Sequence, residues 1–97
     1  MPGYKVSPQA QNSLRQISEY TLENFGSKQK TTYLRMLRDR MREAAKYPEK
    51  GKDRSEIKAG YYSLQAQSHY IYYRIRDTHI EIIDVLHGSM EPTRHIG

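Results

Sequence analysis

Apolar side chains return every three or four residues through the first half of the chain. Ala10, Leu14, Ile17, Thr21 and Phe25 are spaced by four, three, four and four, which lines them along one face of an α-helix. Ser7 and Pro8 mark its start, since a serine hydroxyl can accept from a free N–H of the first turn and a proline there has no N–H to leave unpaired. Gly26 offers a stop, and Ser27 a cap for a second helix in which Leu34, Leu37, Met41 and Ala44 or Ala45 repeat until Pro48 ends it. So short a link forces the two helices into an antiparallel hairpin. Ahead of them, Lys5-Val6 reads as a short strand.

After Gly60 the period drops to two. Tyr62, Leu64 and Ala66 alternate with Tyr61, Ser63 and Gln65, and Ile71, Tyr73 and Ile75 alternate with Tyr70, Tyr72, Arg74 and Arg76. Ile80 to Leu86 is mostly β-branched. Short links at Gln67-Ser68 and Asp77-Thr78 join the three strands as consecutive antiparallel hairpins. Tyr47 to Gly60 lacks periodicity and reads as a loop, and the tail from Gly88 is short and polar. The order strand, helix, helix, strand, strand, strand predicts an α+β fold, with the helical hairpin packed on one face of a small, mainly antiparallel sheet. The other face is expected to present Tyr70, Tyr72, Arg74 and His87 as an exposed aromatic and basic surface.

With 97 residues the chain is read as one domain spanning 1–97. It has no apolar run long enough to span a bilayer and no signal-like N-terminus, so a cytoplasmic protein without a membrane partner is expected. The absence of cysteine excludes disulfides, thiolate catalysis and cysteine-ligated zinc. Nine tyrosines supply aromatic area in a chain without tryptophan.

Net charge is +5, and its source is local. Between Lys28 and Lys46 seven basic residues stand against Asp39 and Glu43, which suits an acidic partner. The two acids alternate among the bases, and the segment reads as a solvated face rather than a nucleic-acid site. His69, His79, His87 and His95 have no metal-ligand spacing, and neither a phosphate loop nor a serine-hydrolase motif occurs. No cofactor, metal or catalytic residue is expected. A nuclease would need an acid, a base and a cation on one phosphodiester, for which only Arg74 and His87, with Lys58 or Arg54 nearby, present themselves.

Several segments carry a resemblance. They are Tyr4-x-Val6-Ser7-Pro8-x-Ala10, Ile17-x-x-Tyr20-Thr21 with Phe25-Gly26, and Tyr33-x-x-x-Leu37. Three more follow: Pro48-x-x-Gly51-x-x-Arg54-x-Glu56-Ile57-x-x-Gly60-Tyr61, Ser68-His69-x-Ile71-Tyr72-Tyr73-Arg74, and Val85-Leu86-His87-x-x-Met90-x-x-x-Arg94-His95. In this order, over nearly the whole chain, they resemble the ParE toxins of the RelE/ParE superfamily. The resemblance implies a type II toxin, used in plasmid stabilisation among other settings and neutralised by a ParD-like antitoxin in a higher-order hetero-oligomer. It also implies DNA gyrase, trapped on cleaved DNA, as the target. The sister RelE-like toxins cut mRNA on the ribosome, typically with a Tyr, or a His-Tyr pair, at the end of the last strand. Here Gly88 and Ser89 follow His87, no Tyr occurs after Tyr73, and Tyr70 stands where an Arg is frequent. These departures favour a binding poison, with the ribosome-dependent nuclease as the alternative.

Two surfaces follow. Tyr20, Leu22, Tyr33 and Met36 lie off the buried helical stripes and are expected to be exposed to an amphipathic antitoxin segment. His69, Tyr72, Arg74, His87, Met90, Arg94 and His95 are expected to converge at the C-terminal end of the sheet as the target-facing surface. The competing reading has Leu86 and Met90 fold the tail back on the core, with Arg94 paired to Glu91 or Asp84.

Overall fold

The computed structural model describes residues 3–96. Strand β1 (Gly3–Val6) leads into α1 (Pro8–Phe25) and α2 (Ser27–Lys46). A single turn at Pro48–Lys50 precedes β2 (Lys52–Asp53), and β3 (Tyr61–Ala66), β4 (His69–Ile75) and β5 (His79–His87) complete the sheet. Its strand order is β1-β5-β4-β3-β2, antiparallel except for the parallel pair β1 and β5. The expected α+β architecture is therefore present, with β2 adding a two-residue strand inside the segment read as a loop.

Ser7 couples the first helix to the last strand. Its hydroxyl accepts from the Ala10 N–H at 3.1 Å and donates to the Ile83 carbonyl at 2.8 Å. Gly26, at φ 89°, closes α1 and serves as the cap of α2, whereas Ser27, expected to cap, is already helical and bonds no free N–H with its side chain. Helical periodicity holds where the sheet lies beneath it: Ala10, Leu37, Met41, Ala44 and Ala45 are buried against Ile71, Tyr73, Ile80, Ile82 and Val85. Phe25 departs from that pattern, at 65% exposed, because the last turn of α1 overhangs an open groove instead of a strand.

The far face of the sheet is not the open surface expected of it. Tyr61, Tyr72 and Leu86 form a second small core there with Ile96 of the tail, flanked by Ile57, Tyr70 and Ile83. Tyr72 is only 3% exposed. One irregularity decides which residues share each face. Tyr72 lies opposite Asp84 and Tyr73 opposite Ile82, so Ile83 is an extra residue, a β-bulge that reverses the alternation for the rest of β5. Past the bulge Val85 joins the helix-side core and Leu86 the far one.

The end of the core beneath the C-terminus of α2 is closed by one phenol. Tyr73 is fully buried, and its hydroxyl donates to the Pro48 carbonyl at 2.6 Å. Gly51 sits against it so closely that a Cβ there would lie 2.0 Å from Tyr73 Oη, which accounts for glycine at this position. Burial pushes the Tyr73 hydroxyl up to about 12.

Candidate functional site

At the opposite end of the helical hairpin the layers part into an open groove of about 630 Å³. Ile17, Tyr20 and Phe25 of α1 form one wall, Tyr33 of α2 the second, and His69, Val85, His87 and Met90 the floor and lip. Each is placed by its element. Tyr33 lies one turn before Leu37 and on its side of α2. His69 begins β4 in step with the inward-facing Ile71 and Tyr73, and His87 is its register partner on β5. The bulge at Ile83 is what turns His87 to the helix side.

Tyr33 Oη is 2.6 Å from His69 Nδ1, and the His69 and His87 rings meet edge to face with centroids 5.3 Å apart. Burial, reinforced by the neighbouring His87, lowers His69 to about 4, so at neutral pH it is an uncharged imidazole. Burial also raises the Tyr33 hydroxyl above its ordinary value. His87 is exposed, and its Nδ1 accepts the Ser89 N–H at 3.1 Å with the Ser89 hydroxyl 2.8 Å away. An apolar groove floored by a neutral His–Tyr pair can bind an amphipathic segment through its wall and a polar group at its base.

The residues expected to converge on a target divide between the two faces. His69, His87 and Met90 border the groove, whereas Tyr72 and Arg74 lie on the far face. There the Arg54 guanidinium rests 5.4 Å from the centre of the Tyr72 ring and pairs with Glu56 at 2.7 Å. Arg74 pairs with Glu81 at 2.9 Å, and that contact, with Arg76 at 3.1 Å, holds the Glu81 carboxyl below its ordinary value. Convergence of Arg74 with His87 is thus corrected by the sheet itself, which stands between them.

The tail folds back, but through Ile96 rather than Met90, which remains 38% exposed. Arg94 and His95 are exposed, and Arg94 forms no ion pair among the described residues. Asp84, considered above as a partner for Arg94, is buried and accepts from Gln9 Nε2 and Ser13 Oγ of α1 and from the Val85 N–H. Gln9 Nε2 also donates to the His95 carbonyl at 2.9 Å, so one side chain fastens the tail and the sheet edge to α1.

Of the residues expected to meet an antitoxin, Tyr20 and Leu22 are exposed, at 62% and 44%. Tyr33 and Met36 are not: both are partly buried and pack against the main core. Positions off the main helical stripe still touch neighbours when the helix sits on a sheet and beside a second helix. Phe25, by contrast, shares the spacing of the buried stripe yet belongs to the groove rim. Nothing in its spacing distinguishes it from the buried positions before it.

The match to the family model described as "ParE toxin of type II toxin-antitoxin system, parDE" covers residues 4–92. A Mycobacterium tuberculosis protein named Toxin ParE1 is 36% identical over 94 residues, 96% of each chain. Its Caulobacter vibrioides namesake is 33% identical over the full length of both. A solved structure titled "Chromosomal ParDE TA system from P. aeruginosa" superposes with a TM-score of 0.77, covering 90% of this chain and 96% of the other; at 15% identity that likeness speaks for the fold alone. Whole-length similarity of sequence, on a fold of the same kind, has one reading: this chain belongs to the ParE toxin family of type II toxin–antitoxin systems.

Proposed function

We propose that this protein acts in the cytoplasm as a binding poison of DNA gyrase and is neutralised by a ParD-like antitoxin in a higher-order complex. The observation that carries the reading is the match to the ParE toxins along residues 4–92. Geometry supports the non-catalytic part of it. A phosphodiester nuclease needs its acid, base and cation within reach of one phosphate. Here His87 lies on the helix side of the sheet, while Arg54 and Arg74 lie on the far side, each engaged by a glutamate.

The antitoxin segment takes the groove through its rim at Tyr20 and Phe25 and the neighbouring Leu22, with Tyr33 as the inner wall. His87, Met90, Arg94 and His95, the accessible groups of the expected target surface, face gyrase. Tyr72 belongs to the far-side core instead, and Arg74 is held on that face by Glu81.

Induction of the gene in a growing bacterium, followed by labelled thymidine and methionine, tests the reading. Thymidine incorporation is expected to fall first, and purified gyrase with the protein to accumulate cleaved plasmid. Arrest of translation first, with mRNA cleaved in the ribosomal A site by the purified protein, would establish the nuclease alternative.

A further inference from the structure

The outward face of α2 carries charge that the groove does not use. Leu37, Met41, Ala44 and Ala45 are buried toward the sheet, while Lys28, Arg35, Arg38, Arg42 and Lys46 are all exposed. At helical geometry these five cations fall within an arc of about 80° and along a line of about 27 Å. The only acids on α2 are Asp39 and Glu43. Glu43 is drawn to the flank by Arg40 at 2.7 Å, where Arg40 also donates to the Gln65 carbonyl, and Asp39 is held by Arg42 at 2.8 Å. Lys28, Arg35, Arg38 and Lys46 form no ion pair among the described residues. In sequence the charges alternate in sign; on the folded helix Glu43 turns to the flank, while Asp39 borders the stripe and is neutralised there by Arg42.

The stripe lacks what a protein partner would need at its centre. None of the large apolar side chains left exposed belongs to α2, so there is no anchor of the kind that dominates protein interfaces. Single-stranded nucleic acid is held through aromatic faces on which bases stack; α2 itself offers no exposed ring, and that of Tyr47, just past its end, is already occupied by Lys50 at 4.6 Å and Lys46 at 5.5 Å. A duplex backbone asks only for cations along a line, since phosphate contacts set position and carry no sequence information. We propose that the outward face of α2 is a sequence-independent docking surface for the phosphate backbone of duplex DNA, contacted by Lys28, Arg35, Arg38 and Lys46. The inference goes beyond gyrase and stands whether or not gyrase is the target.

Anisotropy of a labelled duplex of about 20 base pairs, titrated with the purified protein between about 50 and 200 mM salt, tests it. With about four phosphates neutralised, the logarithm of affinity should fall against that of salt with a slope of about −3.6, a loss on the order of 10²-fold over this range. The triple variant Arg35→Gln, Arg38→Gln, Lys46→Gln places good helix formers at exposed positions and should fold normally, with the slope reduced to about −0.9. Lys5→Gln, Lys52→Gln, Lys58→Gln removes the same charge from other exposed positions and should leave the slope unchanged. Equal weakening by the two triples would reduce the effect to net charge and overturn the proposal. So would an unchanged slope in the α2 triple, or tighter binding of poly-glutamate or of a single strand than of the duplex.

Discussion

The two ends of the helical hairpin are each finished by a tyrosine hydroxyl, and they end differently. At the closed end Tyr73 reaches through the core to the Pro48 carbonyl, with Gly51 pressed against the ring, and no solvent enters. At the open end Tyr33 meets His69 Nδ1 at a similar distance, but beside a groove rimmed by Tyr20, Phe25 and Met90. The same bond thus seals one end and leaves a polar base under an apolar cleft at the other. What separates them is the third partner: a loop that docks on Tyr73 and, among the described residues, no such segment over Tyr33.

Damage at the closed end is expected to cost stability, and damage at the open end to cost binding. Tyr73→Ala is expected to have the largest effect, about 4 kcal/mol by chemical denaturation, a large share of what a domain of this size possesses. Gly51→Ala comes next, at about 2 kcal/mol, because its Cβ must displace the Tyr73 hydroxyl. Combining it with Tyr73→Phe should restore part of that loss, and a purely additive double variant would show that the close approach is not the cause. Tyr33→Phe should cost under about 1 kcal/mol, since water can replace the phenol at His69, while binding of an antitoxin weakens measurably. Equal stability losses for Tyr33→Phe and Tyr73→Phe would erase the distinction between the ends.

The most diagnostic effect is on pH. Burial lowers His69 to about 4, so the fold favours its neutral form; that stability is fully present above the ordinary value of 6.5 and is lost as pH falls through about 4. Tyr73 is raised to about 12, so its contribution is fully present below 10 and lost as pH rises through about 12. The open end should therefore weaken in acid and the closed end in base. Ring resonances of His69 followed by NMR check the first; a midpoint near 6.5 would mean that the groove is wet at its base.

Most of the architecture was legible because periodicity reports on burial, and burial is what the helices and strands share. The far-side core was not: alternation tells which side chains of β4 share a face, not that Ile96 and Ile57, lone apolar residues in aperiodic segments, will cover it. Nor was the parity of His87, because one extra residue at Ile83 reverses the alternation and leaves no mark in a run of β-branched residues. Phe25 failed for a third reason: helical phase is a property of the helix, while its burial depends on where the sheet stops.

The parallel pairing of β1 with β5 has a consequence for how the protein comes into being. Gly3 to Val6 find their partners only at His79 to Ile82, so the first strand made must wait for the last. During translation the hairpin and the three later strands can form by local contacts, while the edge position of β1 stays vacant until β5 has emerged. A chain that ends before His79 leaves Ser7 without the Ile83 carbonyl, Gln9 without Asp84, and the groove without Val85, His87 and Met90. A chain cut short before His79 therefore lacks the strand that completes both the sheet edge and the groove, and is expected to bind no partner there.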